Sequence, residues 1–93
     1  MSQVESMVFL ALQANADTRP IIEAIERDNP HAEVHRLPAM VKIDAPGRLV
    51  LKRKTIEDIL GMDFDLQSFH INLISLSGNI DETEDELVLE WIR

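Results

Sequence analysis

Apolar residues fill both phases of a two-residue alternation over positions 7–13, with Val8, Leu10 and Leu12 in one phase and Met7, Phe9 and Ala11 in the other. A period of two is the mark of a strand. Because neither face is polar, this strand is expected at the centre of a sheet, or with its second face covered by another element. Asp17 and Thr18 then offer N-cap oxygens, and Pro20 suits a first helical turn, where its missing N–H is no loss. Ile21, Ile22 and Ile25 follow at helical spacing, with Glu23, Glu26 and Arg27 on the opposite side. Asn29-Pro30 ends that helix, since a residue before proline avoids the α region. Residues 32–37 predict a short strand and residues 40–45 a better one, with Val41 and Ile43 inward and Lys42 and Asp44 outward. Pro46-Gly47 marks a turn, after which Leu49 and Leu51 resume the alternation. The apolar faces of a hairpin here match if Val41 pairs with Leu51 and Ile43 with Leu49, across a loop of Ala45, Pro46 and Gly47.

Thr55, with Asp58 three residues later, is a capping-box-like start for a second helix carrying Ile56, Ile59 and Leu60 on one side and stopping at Gly61. Residues 65–76 read mostly as strand. Phe69, Ile71 and Leu73 hold one phase and Ile74 and Leu76 the other, and such a slip predicts a β-bulge. Gly78, Asn79 and the acidic residues after them read as a loop, and residues 86–92 as the last strand. The order is strand, helix, strand, strand, then the same again. It predicts an α+β domain, a duplicated strand-helix-strand-strand unit with helices packed on a mostly antiparallel sheet, loosely ferredoxin-like.

Composition narrows the picture. Ninety-three residues make one domain, 1–93, with no room for a second core. The four aromatics are Phe9, Phe64, Phe69 and Trp91, so aliphatic side chains must supply most of the core. Without cysteine there is neither a disulfide frame nor a thiolate metal site, which fits a reducing cytoplasm. The apolar run 7–12 follows Glu5, lacks a basic leader and is too short to span a bilayer, so a soluble, cytoplasmic chain is expected. A net charge of −8 argues against nucleic acid and anionic membrane surfaces as partners. The charge is uneven: Lys42, Arg48, Lys52, Arg53 and Lys54 form a basic stretch, and Asp81, Glu82, Glu84, Asp85 and Glu86 an acidic one. Such poles can orient a docking protein, although solvated loops or strand faces account for them equally well.

Candidate chemistry is sparse. His31, His35 and His70 have no spacing that makes a metal site with one another. Asn79, Asp81, Thr83, Asp85 and Glu90 fall at positions 1, 3, 5, 7 and 12 of a calcium-loop pattern. Glu84 stands where that loop needs glycine, and the segment leads into a strand, so chance in an acidic loop is the better account. Ser75 and Ser77 are not in a nucleophile elbow, and three glycines build no phosphate cradle or dinucleotide fingerprint. A binding role is therefore favoured over catalysis.

Three segments carry a resemblance: NADTRPIIEAIERDNP (15–30), PAMVKIDAPGRLV (38–50) and FDLQSFHINLISLSGNIDE (64–82). In order, they resemble the MmoB/DmpM family, the small effector proteins of bacterial multicomponent diiron monooxygenases, and most closely its phenol hydroxylase branch. The resemblance implies a regulatory component without cofactor or activity of its own. Such a component docks on a multi-subunit hydroxylase near a carboxylate-bridged diiron centre and modulates oxygen activation, coupling and the hydroxylation of phenols. It also implies about one copy per catalytic subunit, possible competition with the reductase, and the duplicated fold. The methane-oxidising branch has a long N-terminal arm where only residues 1–6 precede the first strand here, so no role of that arm carries over.

The resemblance supplies no catalytic residue, so the candidate site is a partner surface. It comprises Pro38, Met40, Asp44, Pro46 and Gly47 in the second segment, Asn72, Ser75, Ser77 and Asn79 in the third, and Lys52 and Lys54 in the basic stretch. Turn-making is the plainer account of the first five; for the next four, hydrogen bonding around the bulge and docking weigh about equally. Two rivals have other signatures. A small-molecule-sensing ferredoxin-like regulatory domain needs a pocket with convergent polar groups, and a small isomerase-like enzyme needs an acid paired with a histidine.

Overall fold

A computed structural model describes residues 7–91. The chain runs β1 (Met7–Gln13), α1 (Arg19–Asp28), β2 (Glu33–Arg36), β3 (Met40–Pro46), β4 (Arg48–Lys52), α2 (Arg53–Leu60), a 3-10 helix (Leu66–Asn72), β5 (Leu73–Ser77), β6 (Asn79–Glu82) and β7 (Glu86–Glu90). Residues 1–6 and Ile92, the expected end of the last strand, lie outside the described residues. The strands form two antiparallel sheets, the first in the order β2-β3-β1-β5 and the second β4-β7-β6. With both phases apolar, β1 is central as expected, flanked by β3 and β5.

The duplication is visible in the pairing. In the first half the opening strand β1 pairs with β3, and β3 with β2; in the second half β4 pairs with β7, and β7 with β6. Each half is thus strand, helix, strand, strand with the last strand in the middle. The 3-10 helix and β5 have no counterpart in the first half. They form an insert, and β5 adds itself to the free side of β1.

Three expectations change. Val41 and Ile43 pair with Leu12 and Leu10 of β1, while Leu49 and Leu51 pair with Leu89 and Leu87 of β7, so the β3–β4 hairpin does not form. The chain instead crosses from one sheet to the other at Gly47, whose φ of 74° lies in the left-handed region. Residues 66–72 are 3-10 helix rather than strand; Leu66 and Phe69, three apart, share its buried side. Residues 79–82 are strand β6 rather than loop. The bulge is present: Leu12 pairs with Leu73 and Ala11 with Ser75, which leaves Ile74 as the extra residue.

The second helix starts at Arg53, two residues before the expected cap, and the Thr55 hydroxyl donates to Asp28 Oδ2 at 2.7 Å, tying α2 to α1. Gly61, with φ of 74°, ends α2 as expected. One core gathers Val8, Leu10 and Leu12 of β1, Ile21 and Ile25 of α1, Ile43, Leu49, Leu51, Ile56, Phe69, Leu87 and Leu89. Both sheets and both α-helices therefore bury their apolar sides against the same interior.

Candidate docking surface

With Val8, Leu10 and Leu12 turned inward, the other phase of β1 lies on the outer face of the first sheet. Direct cross-strand partners share a face, which fixes its membership. Met7 stands beside Pro46, Phe9 between Asp44 and Ser77, Ala11 between Lys42 and Ser75, and Gln13 beside Met40. Glu33 and His35 of β2 extend the row beyond Asp44 and Lys42. Five of the sequence-derived candidates, Met40, Asp44, Pro46, Ser75 and Ser77, are thereby brought onto one surface.

Its centre is polar and organised. Asp44 Oδ2 is 3.1 Å from His35 Nε2 and Asp44 Oδ1 is 3.6 Å from Lys42 Nζ. The same ammonium lies 4.6 Å from the centroid of the Phe9 ring, a cation–π contact. At the edge, the Trp91 indole donates to the Met7 carbonyl at 2.8 Å. Phe9, Lys42 and His35 share this face although the sequence reading did not single them out. No local signal marks Phe9, because both phases of β1 are apolar and its charged neighbours Asp44 and Lys42 are set only by the pairing with β3.

The remaining candidates lie elsewhere. Pro38 is in the bend that leads into β3, and Gly47 is the crossing point between the sheets. Asn72 ends the 3-10 helix, where its Oδ1 accepts from Asn15 Nδ2 at 2.9 Å. Asn79 opens β6 opposite Glu90, Lys52 closes β4 opposite Glu86, and Lys54 is in the first turn of α2. The two charged stretches meet each other. Arg53 Nη2 is 2.7 Å from Asp85 Oδ1 and its Nη1 is 3.4 Å from Glu57 Oε2. The hydrogen bond to Asp85, then the charge of Glu57, hold the Arg53 guanidinium above its ordinary pKa.

The chemistry of the other motifs follows from the topology. Asn79 and Asp81 lie on β6, Glu90 on β7, and Thr83 and Asp85 in the connection, so the calcium-like sequence is spread along a hairpin. No group of three or more His, Asp or Glu side chains among the described residues is placed to hold a metal ion. No helix among them is long and apolar enough to cross a membrane.

A family model described as the MmoB/DmpM family matches residues 6–90. The chain belongs to that family. The stimulatory component DmpM of phenol 2-monooxygenase from Pseudomonas sp. (strain CF600) is 44% identical over 88 residues, which span 95% of this chain and 98% of that protein. A chain in a solved phenol hydroxylase–regulatory protein complex superposes with a TM-score of 0.89 at 47% identity, covering 94% of this chain and 100% of its own. The soluble methane monooxygenase regulatory protein B, at 22% identity and a TM-score of 0.71, shares the fold. This chain covers 69% of that protein.

Proposed function

We propose that this chain is the stimulatory, non-catalytic component of a bacterial phenol hydroxylase, working in the cytoplasm by docking on the diiron hydroxylase. The observation that carries the reading is the 44% identity to a phenol 2-monooxygenase stimulatory component across nearly the whole of both chains. The fold it shares with a regulatory protein seen together with phenol hydroxylase supports the same partner. In this reading the iron belongs to the hydroxylase, and this chain brings no cofactor.

A protein that supplies no reacting group changes a rate by binding one state of its partner more tightly than another. A tenfold shift in that equilibrium requires about 1.4 kcal/mol of differential affinity. Covering a route to the metal centre adds a second effect, keeping water and stray reductant from the reacting oxygen. The docking face in this proposal is the outer side of the first sheet, where Phe9 and Lys42 sit among Met40, Asp44, Pro46, Ser75 and Ser77. It takes one copy to each catalytic subunit, and the reductase competes for an overlapping surface. Steady-state phenol oxidation with and without this chain tests the role. Hydroxylation rate and the fraction of NADH converted to product both rise when it is added; equal values without it would refute the proposal.

A further inference from the structure

The insert that interrupts the second repeat, together with the segment leading into it from α2, leaves apolar side chains in solvent. Ile71 is 76% exposed and Met62 is 66% exposed, the two most exposed large apolar residues among the described residues. They are not scattered. Together with Leu60, Phe64 and the buried Ile21 they line one groove of about 360 Å³ beneath the end of α2. An arrangement of this kind is unfavourable in water unless something covers it.

The groove is held in shape from several sides. The Phe64 N–H donates to Glu57 Oε2 at 2.9 Å, and the Asp65 carboxylate caps the 3-10 helix by accepting from the Gln67 N–H at 3.1 Å. Phe69, fully buried, anchors that helix to the core. Its last residue, Asn72, is bonded to Asn15 just beyond β1, which joins the groove to the end of the first sheet. A preformed site loses little conformational freedom on binding. The charged residues lining it are Asp17 and Asp63, with no lysine or arginine.

We infer that this groove is a second docking site for the hydroxylase, one that receives apolar side chains flanked by lysine or arginine. The inference rests on the functional reading above. Acidic residues beside an apolar floor select a partner surface with the opposite charge around an apolar centre. Ile71 lies on the insert and Met62 on the segment that leads into it from α2. The repeat folds around a shared core without needing Met62 or Ile71, so these two are free to serve a partner.

The test is the affinity of purified hydroxylase for Met62→Asp and Ile71→Asp, measured by titration calorimetry beside the unaltered chain. Both side chains are exposed, so thermal melting should stay within a few degrees, and the dissociation constant should rise about tenfold or more. Ile80→Asp, on β6 and outside the groove, serves as the control and should bind within about twofold of the original. The double variant Asp17→Lys, Asp63→Lys should also bind more weakly, with a difference that shrinks as salt is raised. Unchanged affinity in both groove variants, or an equal loss from Ile80→Asp, would overturn the inference. If the unaltered chain itself fails to bind hydroxylase, the functional reading fails, and the groove proposal falls with it.

Discussion

Thr18 is the buried polar side chain of the described residues, with no measurable exposure, and it joins β1 to α1. Its hydroxyl donates to the Gln13 carbonyl at 2.7 Å and accepts from the Asn15 N–H at 3.1 Å, while Asn15 Oδ1 accepts from the Thr18 N–H at 3.0 Å. Thr18→Val keeps the shape and removes the hydroxyl, leaving a carbonyl and an N–H without their partner. The expected loss is about 1–3 kcal/mol in urea unfolding; an unchanged midpoint would show that water substitutes fully. The sequence marks Thr18 as a helix cap, and it does hold the N-cap position, with its carbonyl accepting from the Ile22 N–H at 2.9 Å. What the side chain does is different: its oxygen accepts from the Asn15 N–H rather than from an N–H in the first turn of α1, while its proton goes to the Gln13 carbonyl. Asn29 teaches the same lesson. It stops α1 before Pro30 as expected, yet its side chain also donates to the Val50 carbonyl at 2.6 Å and accepts from the Val50 N–H at 2.9 Å. In that way it takes the place of a strand beside the free edge of β4. A contact across 21 residues leaves no mark in local spacing.

Two glycines stand where the chain passes between sheets, Gly47 from β3 to β4 and Gly78 from β5 to β6. Both have positive φ, but their surroundings differ. A Cβ at Gly47 meets nothing within 4 Å, whereas one at Gly78, where φ is 136°, lies 3.1 Å from Leu89 and Val8 side chains of the core. Gly47→Ala therefore costs only the backbone term of about 1–2 kcal/mol. Gly78→Ala adds crowding of about 1–3 kcal/mol to a backbone cost of similar size. Urea midpoints should fall further for Gly78→Ala, and the reverse order would contradict this account of the crossings. Element existence was legible in the alternation of β1, in the isoleucines of α1 and in the slip that marks the bulge. Pairing was not, because Val41, Ile43, Leu49 and Leu51 have the same periodicity whichever strands they join. The 3-10 helix was misread for a related reason. Phe69, Ile71 and Leu73 look like a strand face, but Leu66 and Phe69 are the pair that the core takes, and Ile71 is turned out to solvent. Five of the eleven candidate surface residues came together because outward positions of paired strands share a face. Lys52, Lys54 and Asn79 belong to the second sheet and α2, which local pattern could not separate from the first.

For the molecule as a whole, the net charge of −8 is opposed locally where the basic and acidic stretches meet, Arg53 against Asp85 and Lys52 opposite Glu86. Lys52 and Lys54 still present positive charge beside α2, and we expect Lys52→Glu with Lys54→Glu to slow association with the hydroxylase. Stopped-flow rates should fall by up to about tenfold at low salt and much less at high salt. Rates unaltered at low salt would remove these lysines from the docking surface. In the proposed function the protein's effect falls on its partner. If it acts by selecting a hydroxylase state, its effect is a binding curve and must saturate. The most direct measurement is steady-state phenol oxidation at fixed hydroxylase and reductase while this chain is titrated in, with product and NADH followed together. Product formation and coupling should rise to a plateau near one copy per catalytic subunit, and a large excess should lower the rate again as the reductase is displaced. Product formed at the same rate and with the same coupling throughout the titration, including its zero point, would contradict the account.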